Sequence, residues 1–258
     1  GGTLAMVLAT CWIHPLFTTV PATRPEFSCY ASLKRFPIDV WAQRTGSSVP
    51  ACRERRAPLD LAMMPEGPEC KRMADELSRF QGNVITKMEI LSGRYVDNGA
   101  PKNFDEFSER MIPAKIDKVG NKGKFIYFLC SSSRTPGVNA SIWSTLGMSG
   151  RWSITQTVHT RFVMEMVDSE DKDLSVYYND VRNFGTLAFS LDPAELESKL
   201  DSIGPAFLDG LTALEFIKIA KRQKESRFLA VFLMDQKKTS GIGNYILSEC
   251  LYKSKLDP

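Results

Sequence analysis

Between residues 64 and 258 the spacing of apolar positions changes twice along the chain. Cys70, Met73, Ala74, Leu77 and Phe80 fall at i, i+3, i+4, i+7 and i+10, which places them on one helix face. Pro65-Glu66-Gly67-Pro68-Glu69 opens that helix. Proline suits a first turn whose N–H groups lack partners, and acids there face the positive end of the helix dipole. Gly82-Asn83 stops it. Strand signals follow. Val84–Leu91 alternates, while Phe125–Cys130 is apolar throughout and predicts a strand buried on both faces. Ile142–Leu146, Arg161–Val167, Leu174–Tyr178 and Thr186–Phe189 complete the set, interrupted by a short helix over Phe104–Met111. From Asp192 the period is helical again. Asp192-Pro193-x-Glu195 and Thr212-Ala213-Leu214-Glu215 are N-cap signatures, Phe228–Met234 is an apolar helical run, and Gly241–Lys253 is a helix entered through a tight loop. A helix, a β-rich region and a helical cluster in that order predict an α+β fold of two domains, 64–190 and 191–258, divided near Ser190–Leu191.

Residues 1–63 have a different texture. No Lys, Arg, Asp or Glu occurs before Arg24, yet His14, Pro15, Thr18, Thr19 and Pro21 break the apolar run that a membrane span of about 20 residues would need. The later Arg24, Lys34, Arg35, Arg44, Arg53, Arg55 and Arg56 fit an organelle transit peptide, and four acidic residues count against it. The region is expected to be an unstructured targeting segment or upstream sequence read in frame, with Met63 or Met64 as initiator. Composition elsewhere is that of a globular protein, with 43% hydrophobic and 24% charged residues. Six cysteines without a C-x-x-C pair, and only two histidines, predict neither a disulfide scaffold nor a zinc site. The net charge of +3 comes from the leading segment, since residues 64–258 hold 26 basic and 26 acidic side chains.

Glu66 and Glu69 lie three apart on one helix turn, where the plain reading is stabilisation of the dipole. Their place directly after Met64-Pro65 opens another. If Met64 initiates and is removed, Pro65 becomes an N-terminal secondary amine. Such an amine titrates near pH 8 (about two units below lysine) and is partly neutral at physiological pH. Beside a carboxyl group it is a nucleophile with a proton donor at hand, able to form a Schiff base at a sugar carbon. Gly241-x-Gly243-Asn244 follows an apolar helix rather than a strand and lacks the third glycine of a dinucleotide fingerprint. Its backbone N–H groups suit a phosphate. Lys118, Lys122 and Lys124 cluster around Gly120 and Gly123, where a solvated β-turn is the plain reading, and Met148 and Phe184 alone would be core residues.

Met-Pro-Glu-Gly-Pro-Glu at Met64–Glu69 resembles the N-terminus of the formamidopyrimidine-DNA glycosylase and endonuclease VIII family, with Gly67 as in the endonuclease VIII branch. Five further segments resemble that family in order: Gly123-Lys124-Phe125, Leu146-Gly147-Met148-Ser149-Gly150, Asp180-Val181-Arg182-Asn183-Phe184-Gly185, Ile203-Gly204-Pro205, and Leu233–Lys237 through Gly241–Asn244. The resemblance implies a β-sandwich of two sheets behind an N-terminal helix, then a helix–two-turn–helix domain. The family's C-terminal finger is expected to be absent, since this chain stops at Asp257-Pro258.

The activity implied is a bifunctional DNA glycosylase and AP lyase that excises oxidised bases, more often pyrimidines, in base excision repair without a cofactor. Pro65 would attack C1′, Glu66 would protonate the deoxyribose ring oxygen, Glu69 would order the site, and Lys124 would meet the phosphate at the lesion from a strand. Asn244 would bind phosphate, while Met148, Arg182 and Phe184 would fill the gap left by an extruded nucleotide. The partners would be damaged duplex and abasic-site DNA, bound by a monomer away from membranes, in the nucleus or nucleoid, or in an organelle if residues 1–63 are a transit peptide. The alternative is a module that grips damaged DNA without cutting it, because Pro65 is blocked or the finger is missing.

Overall fold

The structure, a computed structural model, describes residues 64–223 and 228–256, so the expectations for residues 1–63 lie outside it. Helix α1 runs Gly67–Leu77 and tightens into a 3₁₀ turn at Ser78–Phe80. It starts two residues later than the Pro65 opening predicts. Glu66 is the N-cap with extended backbone, and Pro68 takes the first turn. Cys70, Ala74, Leu77 and Phe80 are buried, as the spacing requires, and Gly82 ends the segment at φ +93°, a left-handed conformation that favours glycine.

Eight antiparallel strands follow: β1 (Val84–Ile90), β2 (Ala114–Lys122), β3 (Phe125–Ser132), β4 (Asn139–Thr145), β5 (Gly150–Ser153), β6 (Thr160–Val167), β7 (Asp173–Asp180) and β8 (Thr186–Ser190). They hydrogen-bond in the order β5-β7-β6-β1-β2-β3-β4-β8. β1 and β2 share only the pairs Val84↔Lys115 and Ile85↔Ala114, so the sheet folds there into two four-stranded halves. Trp152 of β5 meets Phe128 of β3 edge-on with centroids 5.5 Å apart and donates its indole N–H to Ser144 Oγ of β4 at 3.1 Å. Phe162 of β6 lies 6.1 Å from Phe189 of β8. The halves therefore face one another as a sandwich. Each fully buried aromatic side chain between them contributes roughly 1.5–3 kcal/mol. The four-residue α2 (Arg94–Asp97) and α3 (Phe104–Met111) connect β1 to β2, and α3 sets Phe107 against Phe189 at 5.1 Å.

Two strands, β2 and β5, go unpredicted, and the expectation for a third changes. β2 has no clean alternation because a bulge between Ile116 and Lys118 brings two exposed charged residues, Asp117 and Lys118, together. β5 is too short to show a period. β3 is buried on one face through Ile126, Phe128 and Cys130 and only half-buried on the other at Tyr127 and Leu129. On that outer face Phe125 stacks on Tyr127 and meets Trp143 edge-on, and the Lys199 ammonium lies 5.6 Å over the Phe125 ring.

The helices after β8 are α4 (Pro193–Asp201), α5 (Ala213–Lys221), α6 (Leu229–Met234) and α7 (Asn244–Ser254). Asp192 caps α4 by accepting the Ala194 N–H at 2.9 Å. Thr212 and Glu215 cap α5 reciprocally: Thr212 Oγ1 accepts the Glu215 N–H at 3.2 Å and the Glu215 carboxylate accepts the Thr212 N–H at 2.9 Å. Phe216, Phe232, Leu233, Ile242, Ile246 and Cys250 form an apolar cluster separate from that of the sandwich. The final helix begins at Asn244, not Gly241, which leaves 241–243 as a loop.

Candidate active site

The first and last described helices meet at the site. Gly67 donates its N–H to the Gly241 carbonyl at 2.8 Å, which brings the N-terminal turn onto the loop ahead of α7. The Glu66 side chain enters that loop, where its carboxylate accepts the N–H groups of Gly243 (2.6 Å), Tyr245 (3.0 Å) and Ile246 (3.4 Å). These are donors that the start of a helix leaves unpaired. Glu66 therefore caps a helix far along the chain as well as beginning its own, a partner that no local pattern reveals. It is 1% exposed, and burial raises its pKa above the ordinary carboxyl value despite the nearby Lys124 ammonium and the three N–H groups. A carboxyl group held in this way can keep a proton to give.

Glu69 stands behind it. One carboxylate oxygen accepts both the Glu66 N–H at 3.0 Å and the Tyr245 hydroxyl at 2.8 Å. Tyr245 thus contacts both acids, through its backbone and its phenol, and sequence reasoning did not find it because a tyrosine after an N-terminal asparagine has no signature. Burial and the Glu69 bond push its phenol pKa up, so it stays a donor. Gln236 is the other missed organiser: its side chain accepts the Gly241 N–H at 3.0 Å and donates to the Ile242 carbonyl at 2.8 Å.

Lys124 sits in the two-residue turn between β2 and β3 rather than within a strand. Gly123 holds the other turn position at φ +56°, and a Cβ there would come within 2.6 Å of the Ser240 side chain. Burial lowers the pKa of the Lys124 ammonium, opposed by Glu66, Cys70 and Glu69. The Cys70 thiol faces the Lys124 carbonyl, and burial pushes its pKa to about 12, leaving it inert as a nucleophile. A Cβ on Gly243 would strike both the Glu66 carboxylate and the Lys124 ammonium, so the two groups bracket a position that only glycine fits. The predicted lysine cluster is divided. Lys122 donates to the Leu200 carbonyl at the end of α4 at 2.7 Å, and Lys118 is exposed.

These residues line a cavity of about 400 Å³ that gathers Pro65, Glu66, Lys124, Met148 and Asn244. Glu69 lies outside the lining, and Asn244 is exposed at the first position of α7. Met148 is half-buried with its sulfur 3.6 Å from an Arg182 guanidinium nitrogen, and Phe184 is 59% exposed. The structure thus brings Met148 and Arg182 together, and it places Phe184 outside the core to which an isolated aromatic residue would be assigned.

A buried carboxyl group and a desolvated amine on one open cavity make an acid–base site, and the cavity sits where a β-sandwich meets a helical cluster. The class so defined is that of an enzyme. The family model for the formamidopyrimidine-DNA glycosylase N-terminal domain matches residues 64–187. The chain is 30% identical over 211 residues to formamidopyrimidine-DNA glycosylase of Bartonella quintana, covering 76% of this chain and 68% of that protein. It is 29% identical over 204 residues to the protein of the same name from Lactiplantibacillus plantarum, with the same coverage. Its fold matches a Lactococcus lactis Fpg crystallised with DNA containing N7-benzyl-Fapy-dG, at TM-score 0.59 and 24% identity over 75% of this chain and 69% of that one. The chain belongs to the formamidopyrimidine-DNA glycosylase family and is a DNA glycosylase of base excision repair. One expectation is overturned: the relatives are bacterial proteins, and bacteria have neither a nucleus nor an organelle to which a transit peptide would lead.

Proposed function

We propose that the protein is a bifunctional glycosylase and AP lyase of the endonuclease VIII type, acting on oxidised bases, pyrimidines foremost, in damaged duplex and on abasic-site DNA. The observation that carries this reading is the buried Glu66 carboxyl group beside Pro65 and Lys124 on one cavity of about 400 Å³. With its nitrogen freed, Pro65 attacks C1′ and the bond to the base breaks, the electron pair leaving with the base. Glu66 gives its proton to the ring oxygen as the sugar opens, and the iminium that results permits β- and δ-elimination. Glu69 holds the Glu66 backbone and Tyr245. Lys124 contacts the phosphate at the lesion, Asn244 a second phosphate, and Met148, Arg182 and Phe184 take the space of the extruded nucleotide. Lactococcus lactis Fpg has been crystallised with abasic-site DNA and with oxidised-pyrimidine DNA, which supports both substrate classes. The glycine at position 67, as in the endonuclease VIII branch, supports the branch. The two apolar clusters support a catalytic domain over 64–190 and a helix–two-turn–helix domain over 191–258.

Borohydride trapping tests the chemistry. Protein beginning at Pro65 is expected to be captured covalently on abasic DNA, and protein in which Pro65 is an internal amide is not. Equal capture of both would remove Pro65 from the role of nucleophile. Side-by-side excision of an oxidised pyrimidine and 8-oxoguanine tests the lesion class.

A further inference from the structure

We propose that Asp180 is a positioning residue for nucleotide extrusion: it fastens the Met148 loop to the Arg182–Phe184 loop, so that the three side chains enter a duplex as one preformed wedge. The inference rests on the roles given above to those side chains. Asp180 ends β7 and is 1% exposed, so its carboxylate needs partners inside the protein. It has one from each loop. Ser149 Oγ donates to one carboxylate oxygen at 2.6 Å, and the Gly185 N–H donates to the other at 2.7 Å. Ser149 Oγ in turn accepts the Arg182 N–H at 2.8 Å, which closes the network across both loops.

Close backbone approach reinforces it. Gly147, at φ +59°, lies so near the second loop that a Cβ would come within 2.6 Å of the Gly185 nitrogen and 2.7 Å of the Phe184 carbonyl carbon. From beneath, Arg94 donates to the Gly185 carbonyl, and Tyr178 donates to the Thr145 carbonyl at 2.8 Å. The tips are different. Arg182 is exposed, and Val181 and Phe184 are 58% and 59% exposed. The tips touch one another through the Met148 sulfur and Arg182, while the buried tie between the two loops is the carboxylate beneath them. A wedge ordered before it meets DNA avoids the entropy of ordering two loops at the moment of unstacking.

Asparagine at 180 keeps an oxygen for the Gly185 N–H but turns its NH₂ group to Ser149, whose hydroxyl can then only accept, so the charge-assisted link to the Met148 loop is replaced by a weaker neutral one of reversed direction. The test uses the full chain, a duplex with a tetrahydrofuran abasic analogue flanked by 2-aminopurine, and the same lesion strand alone. Asp180→Asn and Ser149→Ala should each reduce duplex affinity and the 2-aminopurine rise by roughly tenfold, the scale of one lost charge-assisted hydrogen bond. Single-strand affinity should stay unchanged, and the double variant should be no worse than the more affected single one, because both act through one network. Unstacking at the unsubstituted level, or equal losses on duplex and single strand, would overturn the proposal. If Asp180→Asn fails to fold, Ser149→Ala decides alone, since Ser149 lies on a partly exposed loop. Met148→Ala separates the two levels. If it leaves unstacking intact, the wedge reading falls and this inference with it; if it abolishes unstacking while Asp180→Asn and Ser149→Ala do not, only the inference falls.

Discussion

Glu66 carries two duties that pull against each other. Burial favours its protonated form, and three N–H donors favour its charged form; burial prevails, and the pKa lies above the ordinary carboxyl value. In the proposed role of general acid it works only while protonated. Base excision under single-turnover conditions should therefore decline as pH rises through that elevated pKa, and excision still at its maximum well into alkaline pH would show that Glu66 is not the acid. Glu66→Gln keeps the size but removes the proton. Excision should fall by about 10²–10⁴-fold, the usual contribution of a general acid, while part of the lyase activity on preformed abasic sites survives because the amine is untouched. Gly243 is the second critical residue. Its alanine variant pushes a methyl group into Glu66 and Lys124. The expected loss is about 1–3 kcal/mol of stability, as overpacking costs, together with borohydride trapping, measured by denaturant titration and gel capture. Residue type and resemblance pointed to Pro65, Glu66 and Lys124, and the structure gathers the three on one cavity. The role of Tyr245 was not readable in this way, because a phenol says nothing of the carboxylate it will meet.

At the scale of elements, α7 serves two faces of one site. Its buried amides hold Glu66, and its exposed first residue, Asn244, lines the same cavity. Asn244→Ala should weaken binding to damaged and intact duplex alike, because phosphate contacts carry no lesion information. The dependence of affinity on salt should hardly change, since a neutral side chain releases no counterion. Loss confined to lesion DNA, in titrations at several salt concentrations, would contradict this. The N-cap of α5 is a control: Thr212→Ala should cost about 1 kcal/mol and leave trapping unaltered. The longer helices were legible because their apolar spacing and caps are local, and the four-residue α2 was not. β2 and β5 were not, since a bulge broke the alternation of one and the other has four residues. The start of the final helix was read three residues early because what holds 241–243 as a loop is long-range: Gly67 donates to the Gly241 carbonyl and Glu66 accepts the Gly243 N–H.

Among the described residues the sandwich brings a lysine-bearing turn and the Met148 loop to the same cavity as the starts of two helices. Its stability and its chemistry are separable. Trp152→Ala opens a cavity between the halves and should cost about 3–5 kcal/mol by denaturant titration. Trp152 does not line the active-site cavity, so trapping at low temperature should persist in protein that begins at Pro65. By itself the sequence determined the α+β order, the core face of the first helix, the capped helices near the C-terminal end and the two acids, Glu66 and Glu69, on the first helical turn. Those features depend on residue type and short-range period, which a linear pattern carries in full. Tertiary structure alone decided that Glu66 caps the helix at Asn244, that Tyr245 bonds Glu69, that Lys124 stands in a turn, and that Asp180 joins two loops. Each of these is a bond between groups far apart in the chain. A buried polar group must find a partner somewhere in the fold, and spacing cannot say where.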